Sequence, residues 1–336
     1  MPARPLKILR GLSLLAAVFA LGLVMFGAFV RLSNAGLSCP DWPTCYGQAT
    51  WPQHAQAVAS ADAAFPQRPY EAHKAWREQV HRFFAGTLGV LVLVLALLAS
   101  WRKRSARLAV IIFQAMLGMW TVTLLLKPVV VMGHLLGGIT TFALLAYAAL
   151  RFAGIGAPDE RIADLRRWLT LGIVLLFCQI ALGGWTSANY AALACGYGPG
   201  SFPQCLGQWA PPTDFRQGFV LWRGIGVNYE GGVLDMAARS AIQIAHRIGA
   251  LVVFCYLGWL SHKVARRGLG AFGIAIAAAL VSQVLLGISN VYFGLPLVVA
   301  TAHNGVAALL LFTLLVTLAR TQRRHDESLF LSLEQR

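Results

Sequence analysis

The sequence predicts an all-α integral membrane protein: eight transmembrane helices forming two four-helix bundles related by a pseudo-two-fold axis. Three observations carry this. Of 336 residues 57% are hydrophobic and only 12% charged, with mean hydropathy +0.63, whereas soluble domains carry about 25% charged residues. Eight apolar segments each approach the roughly 20 residues that cross a bilayer as helix. The second half of the chain repeats the order of motifs found in the first.

The first span, 8–30, follows Arg4, Lys7 and Arg10. It resembles a signal peptide, but the apolar run is long and lacks a small-x-small cleavage site, which predicts a retained helix. Spans follow at 82–100, 108–126 and 129–150, then at 169–188, 240–261, 271–291 and 297–319. Pro128 and Pro296 mark the starts of the fourth and eighth helices, since proline is tolerated in a first helical turn. The expected organisation is an N-terminal bundle over 1–152, a cytoplasmic linker over 153–168 and a C-terminal bundle over 169–336. Four helices return the chain to its starting side, so the repeats are parallel. Glycines such as Gly133, Gly137, Gly138, Gly183, Gly184 and Gly287 are expected to let helix backbones approach.

A net charge of +15 invites a nucleic-acid reading, and its distribution argues against one. Eighteen of the 28 Lys and Arg fall at the N-terminus, near 101–107, 151–167 and 262–267, and from Arg320 onward. Arg102-Lys103-Arg104 and Arg320, Arg323 and Arg324 lie at helix ends. This positive-inside pattern puts both termini in the cytoplasm and the loops 32–77 and 189–238 outside, in contact with membrane lipid along the spans. The N-terminus lacks a transit-peptide pattern, which favours a bacterial inner membrane. Cys39 and Cys45 lie in one outside loop, and Cys195 and Cys205 in the other. In an oxidising compartment two close pairs predict two disulfides. Zinc is the rival, but no four-ligand spacing accompanies them. Cys178 and Cys255 lie within helices as packing residues.

The repeat places histidines in register. Glu78-Gln-Val-His81-Arg82 matches Gln243-Ile-Ala-His246-Arg247, and Gln114-Ala-Met-Leu-Gly118 matches Gln283-Val-Leu-Leu-Gly287. Twenty residues beyond each of the latter glutamines stands His134 or His303. Ionisable groups in membrane helices are costly and face an interior partner or a cavity. Two imidazoles at one depth on facing helices can ligate a haem iron from both sides, and this layout supplies the pair twice. Hydrogen bonding to a carbonyl, or lining a wet cavity, is the bland alternative. A bare metal site is disfavoured by the scarcity of carboxylates and thiolates at that depth. His54, His73, His262 and His325 read as solvated or interfacial groups. Arg82 and Arg247 suit haem propionates or snorkel toward water. Glu78 against Gln243 is the informative asymmetry, because only the carboxylate can take a proton or stabilise positive charge beside a haem. An interfacial acid near a helix start is the alternative.

On these residues, and on Cys39-Pro-Asp-Trp-Pro-Thr-Cys45, His134 after Gly133, and His303-Asn304-Gly305, the chain resembles the haem A synthase family, also described as cytochrome oxidase assembly proteins, over nearly its whole length. The resemblance implies oxidation of a methyl group of haem O to a formyl group, by two hydroxylations and loss of water, giving haem A for a terminal oxidase. It implies that His81 and His134 face the substrate haem, with Glu78 as acid/base or cation-stabilising group, and that His246 and His303 hold a haem b cofactor. It matches Cys39–Cys45 to the family's N-terminal loop disulfide, while a second pair such as Cys195–Cys205 occurs in only some members. Haem O synthase and terminal-oxidase assembly factors are the implied partners, nucleic acid is not, and a homo-oligomer is left open. Two other classes fit the paired histidines: a bis-histidine electron-transfer cytochrome and a non-catalytic haem chaperone.

Overall fold

The structure, a computed structural model, describes residues 3–98, 104–153 and 159–321. Eight long helices run through it: α1 (Ala3–Leu32), α3 (Ala72–Leu98), α4 (Arg104–Thr123), α5 (Pro128–Phe152), α6 (Arg166–Ala188), α8 (Met236–Arg266), α9 (Gly270–Tyr292) and α10 (Leu297–Ala319). Two short helices, α2 (Ala55–Ala64) and α7 (Phe215–Gly218), lie in the long connections after α1 and α6. Seven of the long helices are apolar and long enough to cross a membrane, and α4 contributes a shorter apolar stretch over Ala109–Thr123. Arg102, Lys103, Arg323 and Arg324, used above for topology, and His325, read as an interfacial group, lie outside the described residues.

Two helices start earlier than their hydropathy suggests. α3 opens at Ala72 and α8 at Met236, against apolar spans beginning at 82 and 240. Their opening turns are polar, and hydropathy registers only the lipid-facing length. They stay helical because the loops bury one face, including Ala75, Glu78 and Gln79 on α3. On α8 the Asp235 side chain caps the first turn by accepting from the Ala238 N–H at 2.8 Å.

Among the first four long helices, α1 packs on α3 and α5, and α4 packs on the same two. The second four repeat the arrangement: α6 packs on α8 and α10, and α9 packs on the same two. The halves meet through α1 against α10, α5 against α6, and α5 against α10. Glycine permits the close approaches. A Cβ on Gly305 would stand 2.9 Å from Met25 Sδ, and one on Gly184 would stand 3.0 Å from Leu135 Cδ2 and 3.4 Å from Met132 Cγ. One apolar core joins both sets, from Ala16 and Ala20 on α1 through Phe142 and Leu145 to Leu176, Leu257, Leu310 and Leu314. Large apolar side chains such as Val18, Val90, Ile274 and Leu285 face outward, as a lipid-facing surface requires.

Both long loops lie at one end of the helices and both carry a disulfide, Cys39–Cys45 and Cys195–Cys205. Each second cysteine leads into a tight turn with two left-handed residues, Tyr46-Gly47 or Leu206-Gly207. An isolated bridge closes each turn, Cys45 with Gln48 and Cys205 with Gln208. In the first loop the Asp41 carboxylate accepts from the Tyr46 and Gly47 N–H groups at 2.7 and 2.8 Å. Burial pushes the Tyr46 phenol up to about 12. The second loop reaches across to the first half: Glu230 pairs with Arg68 at 3.0 Å, and the Tyr229 N–H donates to Leu125 O at 3.1 Å. Lys127, buried beneath it, donates to Gly224 O and lies 3.7 Å from the centre of the Trp222 ring.

Candidate functional site

Each of the four histidines singled out by the repeat rests against a glycine of a neighbouring helix. A Cβ on Gly27 of α1 would meet His81 Cε1 at 3.0 Å, and one on Gly118 of α4 would meet His134 Cε1 at 3.1 Å. In the second half Gly183 of α6 stands to His246, and Gly287 of α9 to His303, at 3.2 Å in the same sense. A Cβ at any of the four would press on the imidazole edge, so the ring would have to shift by a few tenths of an ångström. The rings are half-buried.

Three of the four glycines follow a glutamine by one turn, and that amide reaches the imidazole. Gln114 Nε2 lies 3.2 Å from His134 Nδ1 and donates to the His134 carbonyl at 2.9 Å. Gln179 Nε2 lies 3.0 Å from His246 Nδ1 and donates to the His246 carbonyl at 2.9 Å. Gln283 Nε2 lies 3.2 Å from His303 Nε2. Gln114 and Gln283 mark the sequence repeat, but Gln179 escaped it. The signal was present: Gln179-Ile-Ala-Leu-Gly183 has the spacing of the other two. At the fourth place, Leu23-Val-Met-Phe-Gly27, leucine stands where the amide would be.

Glu78 lies one turn before His81 and is buried, 4% exposed. Its Oε2 accepts from Ser38 Oγ at 3.0 Å and from the Cys39 N–H at 2.9 Å, and its Oε1 accepts from Arg82 at 2.6 Å. Arg82 also donates to the carbonyls of Asp41 and Thr44, at 2.8 and 2.7 Å. Arg247 does likewise in the other half, to Ser201 O at 2.9 Å and Gln204 O at 2.8 Å. Both guanidinium groups are thus directed to carbonyls of the disulfide loops, which need donors. Gln243, the counterpart of Glu78, is equally buried, and its Oε1 has no hydrogen-bond partner among the described residues. Two further cations at this end were not anticipated. Arg31 donates to Ser187 O at 2.7 Å and covers the Tyr190 ring, and Arg77 covers the Phe29 ring.

Among the described residues no three His, Cys, Asp or Glu side chains converge as a metal-binding group. The family model described as "Cytochrome oxidase assembly protein" matches residues 10–315. The chain is 42% identical over 306 residues to a protein of Shewanella oneidensis named "Heme A synthase", covering 88% of this chain and 92% of that one. This chain belongs to the cytochrome oxidase assembly protein family. Proteins of the same name from Rhizorhabdus wittichii and Halalkalibacterium halodurans are 26% and 27% identical, over 90% and 91% of this chain and 90% and 95% of theirs. As a member of the family, the chain has all four histidines and both cysteine pairs within the matched residues.

Proposed function

We propose that this chain is a haem A synthase that oxidises a methyl group of haem O to a formyl group, yielding haem A for a terminal oxidase. In this reading the eight long helices all span, and residues 1–152 and 169–336 form two four-helix bundles. The matching sets of helix contacts support that division. His81 and His134 face the substrate haem, and His246 and His303 hold a haem b. The observation that carries the site is the fourfold pairing of a histidine with a glycine of an adjacent helix, two pairs to each half.

The donor set fits such a group. An imidazole ligating through Nε2 must carry its proton on Nδ1, which then needs an acceptor. Gln114, Gln179 and Gln283 each have a buried Oε1 without a partner. Rotating the amide turns that oxygen to Nδ1, at the cost of the bond that Gln114 or Gln179 Nε2 donates to the histidine carbonyl. At His303 a half-turn of the ring does the rest, since Nδ1 is the nitrogen left unpartnered there. When bound, haem b supplies one-electron transfer. The chain's own residues do the remainder: paired imidazoles fix the substrate, the disulfide loops cover it from one end, and Glu78 offers a carboxylate held by three donors. That carboxylate is positioned to take a proton from, or stabilise positive charge on, a group oxidised near His81.

Pigment extraction from purified protein tests the reading. Haem b accompanied by haem O and haem A is expected, and haem b alone would overturn it. His246→Ala or His303→Ala should remove the low-spin haem b spectrum from protein that still inserts. His81→Ala or His134→Ala should abolish haem A and leave most of the haem b.

A further inference from the structure

We propose that Gln114, Gln179 and Gln283 are positioning residues that lock three axial imidazoles, and that Leu23 leaves His81 as the one ligand free to leave the iron. This rests on the haem reading above. The four helix pairs form a comparison within one chain. In each, a glycine backs the ring, and one turn earlier stands Gln114, Gln179, Gln283 or Leu23. The three amides lie within 3.2 Å of a ring nitrogen. His81 has no amide at either ring nitrogen; its Nδ1 is buried without a hydrogen-bond partner among the described residues, as is that of His303, where the Gln283 amide meets Nε2 instead.

The surroundings of His81 differ in the same direction. Gly137 and Gly249, three residues after His134 and His246, make room for the amides of Gln114 and Gln179. The corresponding place on α3 is Phe84, whose ring meets those of Phe19 and Phe26 at 5.8 and 6.1 Å. The His81 ring leans on Phe26 at 5.9 Å. Aromatic contact restrains a ring less directionally than an amide bonded to its nitrogen.

The asymmetry suits the chemistry of the two halves. A cofactor stays, whereas a substrate must be taken up and its product released, so at least one bond to the substrate iron must break in each cycle. His81 can break it reversibly: Nε2 keeps its electron pair, and no oxidant or reductant is needed. Glu78 lies one turn away on the same helix, so the side that opens is the side with the carboxylate.

The test uses the full-length protein as purified with its haems. Carbon monoxide, which binds ferrous haem only where an axial ligand leaves, reads ligand release, and transfer to excess apomyoglobin reads haem loss. In the parent, the N-terminal haem should bind carbon monoxide and the C-terminal haem should not. Leu23→Gln, alone or with Phe84→Gly, should slow both processes at the N-terminal site by roughly tenfold, the lower end of what partners of metal ligands contribute. Gln179→Leu should make the C-terminal haem exchangeable by a similar factor, and Gln179→Glu, which keeps an acceptor oxygen, should not. Leu23 packs against the core, so should its variants fail to fold, the Gln179 pair decides alone. Unchanged kinetics in Leu23→Gln, or a C-terminal haem indifferent to Gln179→Leu, would overturn the inference. Parent spectra persisting in both His81→Ala and His134→Ala would instead remove the haem reading itself.

Discussion

The Glu78 carboxylate accepts from Ser38, the Cys39 N–H and Arg82, so neutralising it acts on the disulfide loop as well as on any reaction beside His81. Glu78→Gln turns an NH₂ toward one of those donors and leaves that donor unpaired, a cost of about 1–3 kcal/mol. If the carboxylate also handles protons or positive charge, turnover should fall by roughly 100- to 10,000-fold. Haem O or a hydroxymethyl haem should then accumulate, with the C-terminal haem b retained. Ser38→Ala separates the two roles. It removes one donor without changing charge, so it should loosen the loop by about 1 kcal/mol and lower turnover far less. Chromatography of extracted haems reads both variants, and equal losses would reduce Glu78 to a loop anchor. Gln243→Glu is not the mirror image. The Gln243 oxygen lacks the donors that Glu78 has, so a carboxylate there is buried with only Arg247, one turn on and with an unpartnered Nε, to pair with. It should lower the thermal midpoint of the protein and shift the haem b potential. The Glu78–Gln243 asymmetry was legible in the sequence because the repeat aligns them. The donors were not, because Ser38 and Cys39 lie forty and thirty-nine residues away and reach Glu78 only through the loop fold.

Among the elements, the long helices were legible wherever lipid faces them, because hydropathy measures that face. Pro128 opens α5 and Pro296 caps α10, as their place in the repeat implies. The polar first turns of α3 and α8 were not legible, and neither were α2 and α7, since their partners are loop residues distant in sequence. The disulfides anticipated from compartment and spacing are both formed. Their loops are short, with sequence separations of 6 and 10, so each link contributes about 2–3 kcal/mol in the chain-entropy model. The functional consequences should nevertheless differ. Cys39 donates its N–H to Glu78, whereas Gln243 takes nothing from the second loop at its Oε1. Replacing Cys39 and Cys45 by Ser should therefore cost turnover as well as stability, and replacing Cys195 and Cys205 should cost mainly stability. Thermal melts with haem A formation assayed on the same preparations check this. Equal turnover losses from the two double replacements would break the link between the first loop and Glu78.

At the scale of the whole molecule, the number of crossings decides which side of the membrane the C-terminus occupies. Seven helices meet the criteria of length and apolarity, and α4 meets them only in part over the stretch Ala109–Thr123. Its full extent, Arg104–Thr123, is 20 residues, about 30 Å of helix and the depth of a bilayer core. In the proposed eight-span reading it crosses, and the packing supports this. α3 leaves the disulfide-loop end soon after Glu78 and runs away from it, while α5 opens at Pro128 beneath the second loop, where Leu125 and Lys127 meet Tyr229 and Gly224. The chain has to return along α4, which packs between α3 and α5 and backs His134 with Gly118. Eight crossings put both termini on one side, and seven would put them on opposite sides. In the proposed topology the disulfide loops lie in the oxidising compartment, and the end with the excess of Lys and Arg lies in the cytoplasm. A fluorescent protein that folds only in the cytoplasm should therefore fluoresce when fused after Arg336, and a reporter phosphatase active only outside should be inactive there. The same phosphatase inserted near Ala64, on the exposed side of α2, should be active. An active phosphatase after Arg336 would mean an odd number of crossings, and α4 would then have to lie along the membrane surface, incompatible with its place behind His134.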